Sequence, residues 1–368
     1  MSYLTDRTPS TASGCSIGLC FLSLSVFSFA FFSHRFFSLR IFSHRFFSLR
    51  FLGIASACIF GLGAGIISAS AAERIPFAEH QVTLTANQVY VSGSRNPMHR
   101  LDIYAPATQV SAKRPSEQPF PLGSKLPRLP VKLPVKLPVI VYIHGGSFCL
   151  GDKVTSVGTM PQVFASKGFV FVSIDYRLSP AAHFPAHVQD VASAIAWVRN
   201  SIGGYGGDPH KIFLLGHSAG AQLAALVSSD ERYLRRHGLD LKTVSGVVLL
   251  DGGAFDVTAA LLTDKRRPVN SPAFGNNPAI WRQASPVSHV PGGKNIPPFL
   301  IYYLPMTLQS TEQNSKLIRA LRRARVPVEV HVIGHKNHRQ INQDLGNPDD
   351  PEGEQIVRFF NGLCQQRF

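Results

Sequence analysis

The stretch Gly216-His217-Ser218-Ala219-Gly220 constrains this chain more than any other. An apolar run, Lys211-Ile212-Phe213-Leu214-Leu215, leads into it, and a run of helical character, Ala221 to Ser228, leads out. A strand that passes into a helix across G-x-S-x-G has to turn very tightly. Such a turn lifts the serine hydroxyl clear of its own backbone, where it can attack a carbonyl. It also forces the serine into a strained conformation, so the residues two positions away on each side must be small, and both are glycine. The same turn aims the helix N-terminus, with the amide of Ala219, at the position a reacting carbonyl would take. Ser218 is therefore the candidate nucleophile.

A second motif fits the first. His144-Gly145-Gly146-Ser147-Phe148 follows the strand-like run Pro138 to Ile143. A glycine-rich loop after a strand can turn backbone amides toward a neighbouring site, and the amides of Gly145 and Gly146 are candidates to join Ala219 in holding a developing oxyanion. Apolar strand-like runs then alternate with helical spacing. Phe169–Ile174 is an apolar strand of the kind buried on both faces. Val188, Val191, Ile195 and Val198 recur at helical spacing. Val244–Leu250, Pro297–Tyr303 and Val326–Ile333 read as strands, Met160–Lys167 as a helix, Leu317, Ile318 and Leu321 mark another, and Ile356–Leu363 closes the chain as a helix. Strand and helix in alternation predict a mostly parallel, doubly wound α/β sheet with helices on both faces. Gln81–Val91 and His99–Tyr104 alternate polar and apolar residues and read as antiparallel opening strands.

The elbow and the His-Gly-Gly loop are joined by Asp175-Tyr176-Arg177-Leu178-Ser179-Pro180, by Gly206-Gly207-Asp208-Pro209 before the elbow strand and by Gly151-Asp152-Lys153 after the loop. In this order the motifs resemble the α/β-hydrolase fold of the carboxylesterase and hormone-sensitive-lipase-like group, from about Leu101 to the C-terminus. The resemblance implies a carboxylic ester hydrolase that works through an acyl-enzyme on Ser218, with a small-molecule ester substrate and no metal or organic cofactor. It implies that residues 252–295, weakly periodic and containing Trp281, contribute a lid or pocket wall. It places the base on the loop after the last strand, at the fourth position after Gly334, which is His338; His335 is the neighbouring alternative. Histidine suits the role because its unperturbed pKa of about 6.5 lets it take up and return a proton near neutrality.

The resemblance also implies an aspartate just after the strand Phe299–Tyr303, near Met306, and no carboxylate stands there. Three readings stay open at this point. Another acid substitutes: Asp251, which ends the preceding strand, is the leading candidate, with Asp256 and Glu312 behind it. Alternatively, Ser218 and His338 act as an impaired pair. Or the chain is a catalytically silent ligand-binding protein of this fold. An arylformamidase-like amide hydrolase is the remaining alternative among enzymes.

Composition limits the other classes. The net charge is +15, of which +4 lies in residues 1–75 and +5 in residues 76–138. Basicity concentrated at the front reads as a targeting segment and a solvated linker. No aromatic-interleaved basic patch, zinc spacing or recognition-helix pattern points to nucleic acid. The five cysteines, Cys15, Cys20, Cys58, Cys149 and Cys364, offer no disulfide framework. Residues 1–50 form a low-complexity extension in which Phe31–Arg40 is nearly repeated as Ile41–Arg50. Residues 51–72 are an apolar run behind Arg45 and Arg50, ending in Ala69-Ser70-Ala71, as an export signal or a membrane anchor would. The expected location is exported, periplasmic or secreted, with membrane association through this segment as the alternative. The hydrolase domain is then residues 73–368, carrying a Pro/Lys-rich insertion at 105–138 whose eight prolines favour extended geometry. Oligomeric state is not legible in the sequence.

Overall fold

The computed structural model describes residues 74–77, 82–107, 135–263, 272–292, 295–305, 308–347 and 350–365. These lie in one compact unit, Ser68–Phe368. The readings of residues 1–50 and 51–72, and most of the insertion at 105–138, lie outside the described residues, as does Met306.

The strands are β1 (Arg74–Phe77), β2 (Val82–Val89), β3 (Arg100–Pro106), β4 (Leu137–Ile143), β5 (Val170–Ile174), β6 (Gly207–His217), β7 (Val244–Leu250), β8 (Phe299–Tyr303) and β9 (Val328–Val332). They form one sheet in the order β1-β2-β3-β5-β4-β6-β7-β8-β9. β1, β2 and β3 are antiparallel, β3 meets β5 antiparallel, and every pair from β5 to β9 is parallel. Strand β1 was not visible as a separate element, because four residues, Arg-Ile-Pro-Phe, carry too little alternation. The elbow strand starts at Gly207, so part of the Gly206–Pro209 segment expected as a loop is already β6, paired to Leu137 at Gly207.

Among the described residues, the helices of six residues or more are α1 (Met160–Ser166), α2 (Ala186–Ser201), α3 (Ala219–Val227), α4 (Val257–Thr263), α5 (Pro278–Gln283), α6 (Leu308–Arg323) and α7 (Pro351–Gln365). Parallel strands need crossovers, and helices on both faces bury both sides of the sheet. That is why β4 and β5 are apolar almost throughout and fully buried from Val139 to Ile143 and from Val170 to Ile174. One core joins Val141, Val172, Leu214 and Val247 to Val191 and Ile195 of α2 and Leu223 of α3. The other, on the opposite face, joins Tyr142, Phe171, Phe213 and Leu215 to Phe164 of α1 and Phe360 of α7.

The centre of the sheet leaves no room at the elbow. A Cβ on Gly216 would lie 2.4 Å from the Gly220 carbonyl oxygen, and one on Gly220 would lie 2.0 Å from that of Ile143. These neighbours are backbone and cannot swing aside. Gly220→Ala is therefore expected to lower folding stability by on the order of 3 kcal/mol or to abolish folding. A denaturant midpoint equal to that of the unsubstituted chain would contradict this packing.

Among the described residues, no helix is long and apolar enough to cross a membrane.

Candidate active site

The loops that follow β4, β6, β7 and β9 meet at the carboxyl ends of the parallel strands, where open α/β sheets place their sites. Ser218 stands between β6 and α3 at φ 54° and ψ −114°, a conformation that L-residues rarely adopt. Its amide donates to the Leu250 carbonyl at 3.0 Å, and its own carbonyl accepts from Ala221 and Gln222. The strained backbone is thereby held from both sides and the side chain points free.

His338 reaches Ser218 from the loop after β9. Its Nε2 lies 2.9 Å from Ser218 Oγ and its Nδ1 lies 2.5 Å from Asp251 Oδ2. An ionised carboxylate only accepts, so Nδ1 carries the hydrogen and Nε2 is left to accept from the serine hydroxyl. Asp251 directly follows β7 in a left-handed conformation, φ 44°. Its Oδ1 accepts the Leu304 amide at 3.1 Å and lies 3.4 Å from Ser310 Oγ. The carboxylate thus bonds to the chain just after β8, the loop where the resemblance would have placed the acid. Asp256 and Glu312 are elsewhere employed. Both carboxylates hold Lys316 Nζ at 3.0 Å, and Asp256 also accepts the Ala259 amide. His335 is turned toward Glu352 at 3.6 Å and takes no part in the array.

The His-Gly-Gly loop lies against the elbow. A Cβ on Gly145 would stand 3.1 Å from the Ser218 Cβ and 2.7 Å from His217 Nδ1. Gly146, at φ 117°, turns its carbonyl to the amides of Cys149 and Leu150. Among the described residues the amides of Gly145 and Gly146 donate to no backbone acceptor. The Ala219 amide opens helix α3 and has no partner within it. Three donors are therefore left available beside Ser218 Oγ. His144 secures the loop from beneath. It is buried, it donates Nδ1–H to the Gly145 carbonyl at 2.7 Å, and its ring stacks on Tyr176 at 4.3 Å.

Part of the expected lid region meets this loop. Phe184 N–H donates to the Ala273 carbonyl at 2.8 Å and His183 lies 2.5 Å from that of Pro272. Phe274 packs edge-on against Phe148 at 5.0 Å, giving the loop an apolar wall.

Three supports carried no sequence signal. His217, the residue before the serine, donates Nε2–H to the backbone carbonyl of His338 at 2.8 Å, and the two rings lie 4.8 Å apart. Lys336, two residues before His338, bridges Asp350 and Glu352, so the loop is fastened to the start of α7. Asn337 Oδ1 accepts the amides of Arg339 and Gln340, while Gln340 Oε1 accepts that of Asn337. Only the residue type at 217 could have hinted at the first, the second joins residues 14 and 16 positions apart, and the third is a local turn within four residues. Cys149 and Cys364 are free thiols.

Burial holds several histidines neutral. His144, His187 and His217 are each pushed down to about 4, mainly by desolvation, and the charge of His338 adds to the effect at His217. In the unfolded chain these groups protonate near 6.5. Between those values the unfolded state binds more protons, so their contribution is complete above about 6.5 and is lost as pH falls toward 4. Asp175 and Asp350, raised by burial to about 6, act in the opposite direction. Asp152, lowered by bonds from Thr155 and Val154, and Glu352, lowered by Asp350 and Lys336, act with the histidines. The unfolding midpoint is expected to fall as pH drops from 6.5 to 4. A midpoint that rises over this range in thermal unfolding would contradict the assignment.

The BD-FAE family model matches residues 128–304. Esterase LipQ of Mycobacterium tuberculosis is 32% identical over 173 residues, 45% of this chain and 41% of that protein. Esterase LipC of the same organism is 29% identical over 246 residues, 62% of this chain and 59% of that protein. The chain thus matches about half the length of these relatives. Among solved structures, esterase B from Lactobacillus rhamnosis superposes with a TM-score of 0.58 at 20% identity, over 80% of this chain and 89% of that one. The chain thus has the α/β-hydrolase fold, and over part of its length its sequence is similar to the BD-FAE family and to mycobacterial esterases.

Proposed function

We propose that this chain is a serine carboxylic ester hydrolase, with Ser218 as nucleophile, His338 as general base and acid, and Asp251 as the acid that orients His338. The observation that carries the proposal is the single imidazole spanning Ser218 Oγ at 2.9 Å and Asp251 Oδ2 at 2.5 Å. The similarity to proteins named esterases over about half their length supports the same reading.

Ser218 Oγ attacks the ester carbonyl as His338 Nε2 takes its proton. The amides of Gly145, Gly146 and Ala219 hold the oxyanion of the tetrahedral intermediate. His338 then gives the proton to the departing alcohol, leaving an acyl group on Ser218. A water molecule, deprotonated by the same nitrogen, releases the carboxylic acid. Asp251 stabilises the imidazolium formed in each half-reaction and fixes the tautomer that can accept from serine. A neutral ester of short to medium acyl length is the substrate class proposed.

The proposal extends to location. The apolar run 51–72 with its Ala69-Ser70-Ala71 ending supports export of the hydrolase domain, with retention of that run as a membrane tether in place of cleavage as the other outcome. N-terminal sequencing of the protein recovered from its expressing cells separates the two.

The test of the activity is reaction of the folded chain with a fluorophosphonate, alongside hydrolysis of p-nitrophenyl butyrate and of an aryl formamide. Stoichiometric labelling with ester turnover supports the proposal, and turnover of the formamide alone would move the chain to the amide hydrolases. A folded chain that neither labels nor turns over an ester would end the esterase reading.

A further inference from the structure

We propose, on the reading of His338 as the general base, that His217 is a positioning residue, which fixes the main chain of that base through the bond it gives to the His338 carbonyl. His338 stands on the loop after β9, and its side chain is 54% exposed. Its ring is held at both nitrogens, by Asp251 and by Ser218. Its backbone is held differently. Among the described residues, no main-chain group bonds to its N–H or to its carbonyl. The donor its carbonyl does have is Nε2–H of His217, at 2.8 Å.

That donor belongs to the fixed part of the fold. His217 is the last residue of β6, which lies between β4 and β7, and the next residue is the nucleophile. One bond therefore ties the base to the strand that carries Ser218. The quantity it protects is the distance from Ser218 Oγ to His338 Nε2, and an error of about 1 Å at a reacting group costs about 10² in rate. The ring of His217 also lies against both other parts of the site. It stands 4.8 Å from the ring of His338, and a Cβ on Gly145 would come within 2.7 Å of its Nδ1.

The contact also explains the residue type. A carbonyl only accepts, so the hydrogen of His217 is on Nε2 and its Nδ1 has none. The ring must stay uncharged as well, because His338 becomes an imidazolium in each half-reaction, close enough for like charges to repel. Burial pushes His217 down to about 4; the charges of His338 and His144 add to the effect, while the bond to the His338 carbonyl and the charge of Asp251 oppose it. Lysine or arginine at this position would bring the repelling charge, and a carboxylate has no hydrogen to give. The position calls for a neutral donor of the same reach, and glutamine is the nearest substitute.

The test compares His217→Leu and His217→Gln with the unsubstituted chain. Leucine fills the space without a donor, and it is expected to lower kcat for p-nitrophenyl butyrate about thirtyfold at unchanged KM, with complete but slower fluorophosphonate labelling. Glutamine is expected to bring kcat back to within about threefold. The second readout needs no turnover. In resting protein labelled with ¹⁵N at histidine, the His338 Nδ1 hydrogen is expected to exchange with water about tenfold faster in His217→Leu, and at the original rate in His217→Gln. If no ester is turned over but exchange follows this order, the esterase reading fails and the positioning role stands. Equal exchange rates in all three proteins overturn the proposal. So does a loss of kcat that glutamine does not recover, a rise in KM alone, which would make His217 a substrate contact, or a drop only in the fraction that labels, which would make its role one of folding. If His217→Leu does not fold, His217→Ser, too short to reach the carbonyl, takes its place under the same criteria.

Discussion

Ser218→Ala is expected to lower kcat for an ester by about 10⁶ and to abolish fluorophosphonate labelling, while the fold and the substrate affinity stay as they are. The fold survives because Ser218 is held through its backbone. Its amide bonds to Leu250 and its carbonyl accepts from Ala221 and Gln222, and alanine keeps all of these with the same Cβ in the same strained conformation. The side chain's hydrogen bond in this structure is to His338, so truncation removes the attacking atom and leaves the rest standing. The amides of Gly145, Gly146 and Ala219 remain, and they can still polarise a bound ester. Residual hydrolysis above the uncatalysed rate is therefore expected in the variant. The readouts are kcat, KM and the thermal midpoint together. Loss of kcat with an unfolded protein would say nothing about chemistry; a folded variant that kept kcat would remove Ser218 from the mechanism.

The elbow and the His-Gly-Gly loop were legible because each is a local solution to a local demand. Glycine at 216 and 220 is imposed by backbone within 2.4 Å, and such demands leave a fixed spacing in the chain. The parallel strands were legible for a related reason, since burial on both faces requires unbroken apolar runs such as Val139–Ile143. The acid was different. Asp251 and His338 are 87 positions apart, and what makes Asp251 the partner is the height at which β7 ends beside β8. Sequence order narrows the acid to Asp251, Asp256 or Glu312, and only the register of the sheet brings Asp251 to Nδ1 while Lys316 holds the other two. His217 is silent in the sequence because a single histidine in a variable motif position has no pattern; its bond to the His338 carbonyl exists only once β6 and the last loop have met.

Asp251→Asn is expected to lower kcat by about 10⁴, and the second oxygen of Asp251 explains why an isosteric change should be so costly. Oδ1 accepts the buried amide of Leu304 at 3.1 Å. An asparagine must keep an acceptor there, or leave that amide facing an NH₂ group with no acceptor, at a cost of about 1–3 kcal/mol. Its carbonyl oxygen is thus pinned toward Leu304 and its NH₂ faces His338. A donor opposite Nδ1 forces the imidazole into the tautomer with hydrogen on Nε2, which cannot accept the proton of Ser218. The variant should fold and should bind substrate, but label with fluorophosphonate far more slowly than the unsubstituted chain. Asp256→Asn and Glu312→Gln release only Lys316, so each should leave kcat unchanged. If either control loses activity while Asp251→Asn keeps it, the acid has been placed on the wrong residue and the bond to Nδ1 is structural. If all three retain full turnover, Ser218 and His338 need no carboxylate, and the array works as a pair.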